Sequence, residues 1–186
     1  VDGVPASVVA ECRLLCPVRP LAPWEARTIA ERQAHRFHAL MGISEPPFPA
    51  TAITCLPRVQ VRYVAANGLS GAIAWRKSRW WILLNRSDTK GRQNFSLGHE
   101  FKHLLDHPLR DTIYQDSRYG SAAVAAERAA DYFAACLLMP KTWLKRCFYD
   151  EGFRDPHVLA RRFGVSVPAM RYRFDQLGLL EPEAVR

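Results

Sequence analysis

Residues 94–107 read NFSLGHEFKHLLDH, an apolar-periodic run with helical spacing that carries His99, Glu100 and His103 in the pattern H-E-x-x-H. On an α-helix, residues four apart differ by only about 40° around the axis and about 6 Å along it, so the imidazoles of His99 and His103 face one point. That suits two ligands of a single tetrahedral zinc ion, whose bonds to histidine nitrogen are about 2.0–2.1 Å long. Glu100, one position round, reaches a water at such an ion without being a ligand, which is the place of a general base in peptide hydrolysis. Manganese is the alternative metal, because availability as well as affinity decides what fills a nitrogen and oxygen site.

Two histidines underfill a catalytic site, which takes three protein ligands and a water. His107 continues the four-residue series, but it stands a further turn along and cannot easily meet the same ion. The metzincin extension would need glycine at position 106 and histidine at 109, where this chain has Asp106 and Leu109. Glu127 opens E-R-A-A-D on the next long helical run, 24 residues after His103. Asp131, four residues on, shares its face and would accept the far N–H of a ligating histidine. The competing role for Glu127 is a surface pair with Arg128 or Lys102. Two acids on a helix otherwise rich in Ala, Phe and Leu favour His99, His103 and Glu127 as ligands, Glu100 as base and Asp131 behind a histidine.

Outward from this stretch, WEARTIAERQAHRFHALM at 24–41 predicts a helix stopped by Gly42, and ISEPPFPAT an extended connector. The period changes to two at 58–64, 71–75 and 79–85, predicting three strands of a small antiparallel sheet, with NGLSG and RKS as turns. RSDTKGRQ at 86–93 is expected to be a polar loop. Helical runs then follow at about 94–107, 121–138 and 140–150, with a terminal pair split at Gly164 and N-capped by Asp155 and Ser166. The expected fold is α+β: a small antiparallel sheet on a mainly helical zincin-like peptidase core, with a C-terminal helix-turn-helix-like segment. The expected divisions are an irregular proline-rich lead-in at 1–23, the peptidase domain at 24–150 and the C-terminal segment at 151–186.

Of the 186 residues, 48% are hydrophobic and 24% charged, which excludes global disorder. The net charge of +8 points toward polyanions. The most apolar run, WWILL at 80–84, stops at Asn85, far short of a membrane span, so no membrane partner is expected. Glu11 and Arg13 interrupt any secretory signal, and five cysteines are an odd number, so reduced thiols and a cytoplasmic location are expected. LARRFGVSVPAMRYRFDQLG at 159–178 has helix-turn-helix residue placement, making Arg161, Arg162, Arg171 and Arg173 candidate nucleic-acid contacts. Packing of Leu159, Phe163, Met170, Phe174 and Leu177 onto the core is the weightier alternative.

NFSLGHEFKHLLDH followed by AERAADYFAACLLMP at 126–140 resembles the ImmA/IrrE family of bacterial zinc-dependent regulatory peptidases, over roughly residues 58–180. The resemblance implies a minimal gluzincin-like site with His99, His103 and Glu127 on the metal and Glu100 as catalytic base. It implies a helix-turn-helix repressor as substrate, relief of repression of stress-response, defence or mobile-element genes, and single-stranded DNA as activator. Lys102 stands where the family often has a small residue, and is expected to put a cation beside the site that favours an acidic residue near the cut. Ala129 replaces a second acid. Tyr114, Arg118, Tyr119 and Tyr132 are candidate oxyanion donors, and the strand ending near Asn85 is expected to receive the substrate as an added strand. The other class of function is a DNA-binding regulator or scaffold with a vestigial site.

Overall fold

The computed structural model describes residues 7–65 and 68–179. Residues 1–6 of the lead-in, Asn67 of the NGLSG turn and the chain end from residue 180 lie outside the described residues. Lys77 and Ser78 both take positive φ, 50° and 58°, the turn geometry whose twist matches a two-residue hairpin. They join β2 (Gly71–Arg76) to β3 (Arg79–Asn85) as antiparallel neighbours. β1 (Val59–Val64) lies on the opposite side of β3 and runs parallel to it, giving the order β1-β3-β2. The sheet is therefore mixed rather than antiparallel. β3 is the most apolar strand, with Ile82 and Leu84 fully buried, and its burial is greatest at the centre, where alternation along each separate strand carries no information about neighbours.

The sheet leads directly into α4 (Lys90–Asp106), which begins a turn earlier than the apolar pattern indicates because Thr89 Oγ1 accepts from Arg92 N at 3.4 Å. The polar residues expected to form a loop supply its first turn, with Lys90 and Arg92 exposed and Gln93 Nε2 donating to Asn85 O at 3.1 Å. α4 packs along α6 (Ala122–Leu138), itself capped by Ser121, and the two approach closely at Gly98. α2 (Pro23–Met41) lies on α6 and ends at Gly42 with φ 65°. Phe37 of α2, Phe101 of α4 and Phe133 of α6 are completely buried together.

The lead-in is not irregular throughout: α1 (Val8–Arg13) buries Val8 and Cys12 in the same core. Arg13 donates to Leu105 O at 3.0 Å and Leu104 O at 2.7 Å, satisfying carbonyls at the end of α4. α3 (Thr51–Thr54) and α5 (Arg110–Ile113) are single turns with too few residues to show a period. α7 (Lys141–Lys145) passes into a π-helical turn at Arg146–Asp150. α8 (Pro156–Phe163) and α9 (Val167–Leu177) carry Asp155 and Ser166 as side-chain caps. Their Leu159, Phe163, Met170 and Phe174 belong to the core that holds Val8 and Phe37. Among the described residues no helix is long and apolar enough to cross a membrane.

Candidate metal centre

α4 and α6 bring His99, His103 and Glu127 together, with one donor atom from each within 4.8 Å of the others. The closest approaches are 3.0 Å between the two Nε2 atoms, 3.2 Å from His99 Nε2 to Glu127 Oε2, and 3.3 Å from His103 Nε2 to Glu127 Oε1. His99 Nδ1 lies 2.9 Å from Asp131 Oδ1. A carboxylate only accepts, so Nδ1 carries a proton, and in the neutral ring Nε2 is the lone-pair atom that faces His103 and Glu127. Donor atoms converging at such distances could hold one cation between them. Bonds of about 2.0–2.1 Å to a tetrahedral ion separate its ligand atoms by about 3.3 Å. The donor set of two imidazoles and a carboxylate, each offering an atom within 4.8 Å of the others, fits zinc.

The local charges follow from this crowding. Burial opposes a charge on His99, but the hydrogen bond and charge of Asp131, with Glu100 and Glu127, outweigh it and raise its pKa. Burial and the neighbouring His99 lower that of His103. Glu100, only 8% exposed, is pushed up to about 7 by burial, with His99 opposing and Glu127 adding to the rise. A carboxyl titrating near neutrality suits general base and acid work.

A cleft of about 1230 Å³ opens over this cluster, lined by the α2 start, the β2 start, α4, residues 114–120, α6 and α9. Gly71, the first residue of β2, was not singled out by sequence, although a glycine at a strand start signals close approach. A Cβ there would stand 2.8 Å from Glu100 Oε1. Arg92 Nε donates to Ser70 Oγ at 3.2 Å and ties α4 to the entrance of this strand. β3, expected to receive substrate near Asn85, is flanked on both sides and cannot take an added strand; β2 is the edge strand at the cleft.

Lys102 does not face the cleft. It is 1% exposed and donates to Gln33 Oε1 at 2.8 Å and Asp106 Oδ1 at 2.6 Å, so it neither pairs with Glu127 nor meets a substrate. Tyr114 donates its hydroxyl to Asp106 Oδ2 at 2.6 Å, which removes it as an oxyanion donor. Arg118 donates to the Tyr119 hydroxyl, and Tyr119 and Tyr132 line the cleft. His107 is exposed against Trp80, away from the cluster. Arg173, a candidate nucleic-acid contact, is 1% exposed and donates to Met139 O at 3.2 Å. A guanidinium buried in the core cannot reach a phosphate. Arg162 pairs with Glu151, while Arg161 and Arg171 are exposed.

Residues 57–175 match a peptidase family described as the IrrE N-terminal-like domain. Among curated proteins none matches the chain. Among solved structures, a Mycobacterium tuberculosis transcriptional regulator is similar with a TM-score of 0.58 and 17% identity, over 83% of this chain and 52% of that one. At that identity the likeness is one of fold, and the chain spans about half the length of that regulator.

Proposed function

The chain belongs to the IrrE N-terminal-like domain family of peptidases, and from that premise we propose that it is a zinc-dependent endopeptidase that cuts a helix-turn-helix transcriptional repressor and so relieves repression of stress-response, defence or mobile-element genes. The observation that carries the proposal is the convergence of His99 Nε2, His103 Nε2 and a Glu127 oxygen, with Asp131 fixing the His99 tautomer. A bound zinc would supply Lewis acidity, polarising a peptide carbonyl and easing deprotonation of water. Glu100 takes the proton of the attacking water on its carboxylate and passes it to the leaving amine. Its place beside the cluster, buried against Gly71, supports both halves of that transfer. The open edge of β2 holds the substrate backbone in extended form, and Gly71 leaves room for Glu100 beside it. Tyr119 is the oxyanion donor this arrangement favours, since it lines the cleft, whereas the Tyr132 hydroxyl is turned toward the buried Cys136 and Arg173.

The DNA-binding alternative loses its main support with Arg173 inside the core and Arg162 held by Glu151. The test is incubation of the purified protein, loaded with Zn²⁺ or Mn²⁺, with a repressor encoded beside it, with and without single-stranded DNA. Wild type cuts the repressor. Glu100→Gln retains the metal and does not cut; cleavage by this variant at the wild-type rate would overturn the mechanism.

A further inference from the structure

The positive charge of the chain is concentrated in one place. Residues 58–93 hold eight Lys and Arg against a single acid, Asp88, and so account for +7 of the net +8. The C-terminal segment from residue 151, which the helix-turn-helix placement had made the candidate polyanion surface, contributes only +1. Four of the eight cations crowd one end of the sheet: Arg58 ahead of β1, and Arg76, Lys77 and Arg79 around the β2–β3 turn. Trp80 N donates to Arg58 O at 2.7 Å and fixes Arg58 at that end. All four are exposed, and among the described residues none of them enters an ion pair. Arg76 and Arg79 stand directly opposite each other in the ladder. Like charges so placed destabilise a sheet unless an anion lies between them.

This end belongs to the strand that starts at the catalytic cleft. β2 runs from Gly71, against Glu100, to Arg76, and five residues at about 3.4 Å each put the cations about 17 Å from the cleft along a strand edge that no other strand pairs among the described residues. An extended segment pairing antiparallel with β2 enters at the cations and reaches Glu100 about five residues later. We propose that the sheet end formed by Arg58, Arg76, Lys77 and Arg79 docks an acidic stretch of a protein substrate, about five residues N-terminal to the bond to be cut. The proposal rests on the peptidase function above and names its substrate class. A nucleic acid would meet the same charge, but it has no backbone amides to pair with the edge of β2, and this edge is what joins the cations to the cleft.

Binding can be measured without turnover on zinc-loaded Glu100→Gln protein, using fluorescence anisotropy of three labelled peptides that share one apolar extended centre. One carries an Asp/Glu tract five residues N-terminal to that centre, one carries it at the same distance C-terminal, and one carries none. The N-terminal tract is expected to tighten binding by at least about tenfold, an advantage lost in about 0.5 M salt. The same advantage is expected to vanish in a variant that also carries Arg76→Ser, Lys77→Ser and Arg79→Ser and melts at an unchanged temperature. Equal binding of the three peptides, preference for the C-terminal tract, or an advantage that survives the triple substitution overturns the proposal. An oligothymidylate that binds more tightly than any of the peptides and depends on the same three cations assigns the surface to nucleic acid and also overturns it. If the expected order holds but zinc-loaded wild type leaves the preferred peptide intact, the peptidase function fails and the docking surface stands.

Discussion

Gly71 shows how a residue without a side chain shapes the site. Its missing Cβ is the space in which the Glu100 carboxylate sits, since an added methyl would meet Oε1 at 2.8 Å and Cγ at 3.0 Å. Gly71→Ala is therefore expected to displace Glu100 and lower kcat on a cleaved peptide by about a hundredfold, the usual effect of a misplacement of about 1 Å, while zinc content and melting temperature stay unchanged. An unaltered kcat would show that the carboxylate has another resting place. Asp131→Asn offers a complementary measurement. It removes the acceptor that holds Nδ1–H of His99 and is expected to weaken zinc affinity by about 10–100-fold in a competition titration with a chelator. The meeting of His99 and His103 was legible because four-residue spacing on a helix fixes it without tertiary information. Gly71 was not, because its neighbour Glu100 lies 29 residues away along the chain and only the folded sheet brings them together. Lys102 misled for a related reason: three residues from His99 it stands about 60° off the metal face, and Gln33 of a different helix with Asp106 decides that it turns inward.

At the scale of elements, the metal cluster depends on how closely α4 and α6 lie. A Cβ at Gly98 would stand 3.3 Å from both Cα and Cβ of Ala134 and 3.4 Å from Leu137 Cδ2. Gly98→Val puts two further carbons into that contact and is expected to cost about 1–3 kcal/mol of stability in urea unfolding. Because His99 and Glu127 sit on the two helices being pushed apart, zinc affinity falls in the same variant. A variant that lost stability but kept full affinity would show that the cluster tolerates helix separation. The long helices were readable from apolar period and caps, as with Asp155 and Ser166, whose side chains accept from His157 N and Ala169 N. Strand positions were readable from alternation, yet their order was not. Pairing is decided by which strand buries both edges, and that role falls to β3 through contacts with β1 and β2 at once. α1 escaped because a six-residue helix gives less than two turns of pattern, and its anchor, Arg13 on the carbonyls of Leu104 and Leu105, lies more than 90 residues away.

At the scale of the whole molecule, one buried histidine couples acid stability to the core that unites the N-terminal helices with the rest of the chain. His38 of α2 lies 6% exposed, its ring 4.9 Å from that of Trp143 on α7, and its Nε2 donates to Leu137 O of α6 at 2.9 Å. Burial pushes its pKa down to about 4, with the Leu137 carbonyl opposing and His35 adding to the fall. The folded protein thus refuses a proton that the unfolded chain accepts below about pH 6.5. Stability from this group is fully present above that pH and drains away as pH falls toward about 4, where the folded state also binds the proton and the loss levels off. The whole depression corresponds to about 3 kcal/mol. His38→Gln retains an N–H for the Leu137 carbonyl but has no proton to take up. Its unfolding free energy, measured against that of wild type at intervals from pH 7 to pH 4, is expected to fall less steeply over this window, so that the two curves converge or cross on the acid side. Parallel curves would mean that His38 is protonated in the folded core or exchanges with solvent through openings short of global unfolding, and the acid sensitivity would then belong to the carboxylates alone.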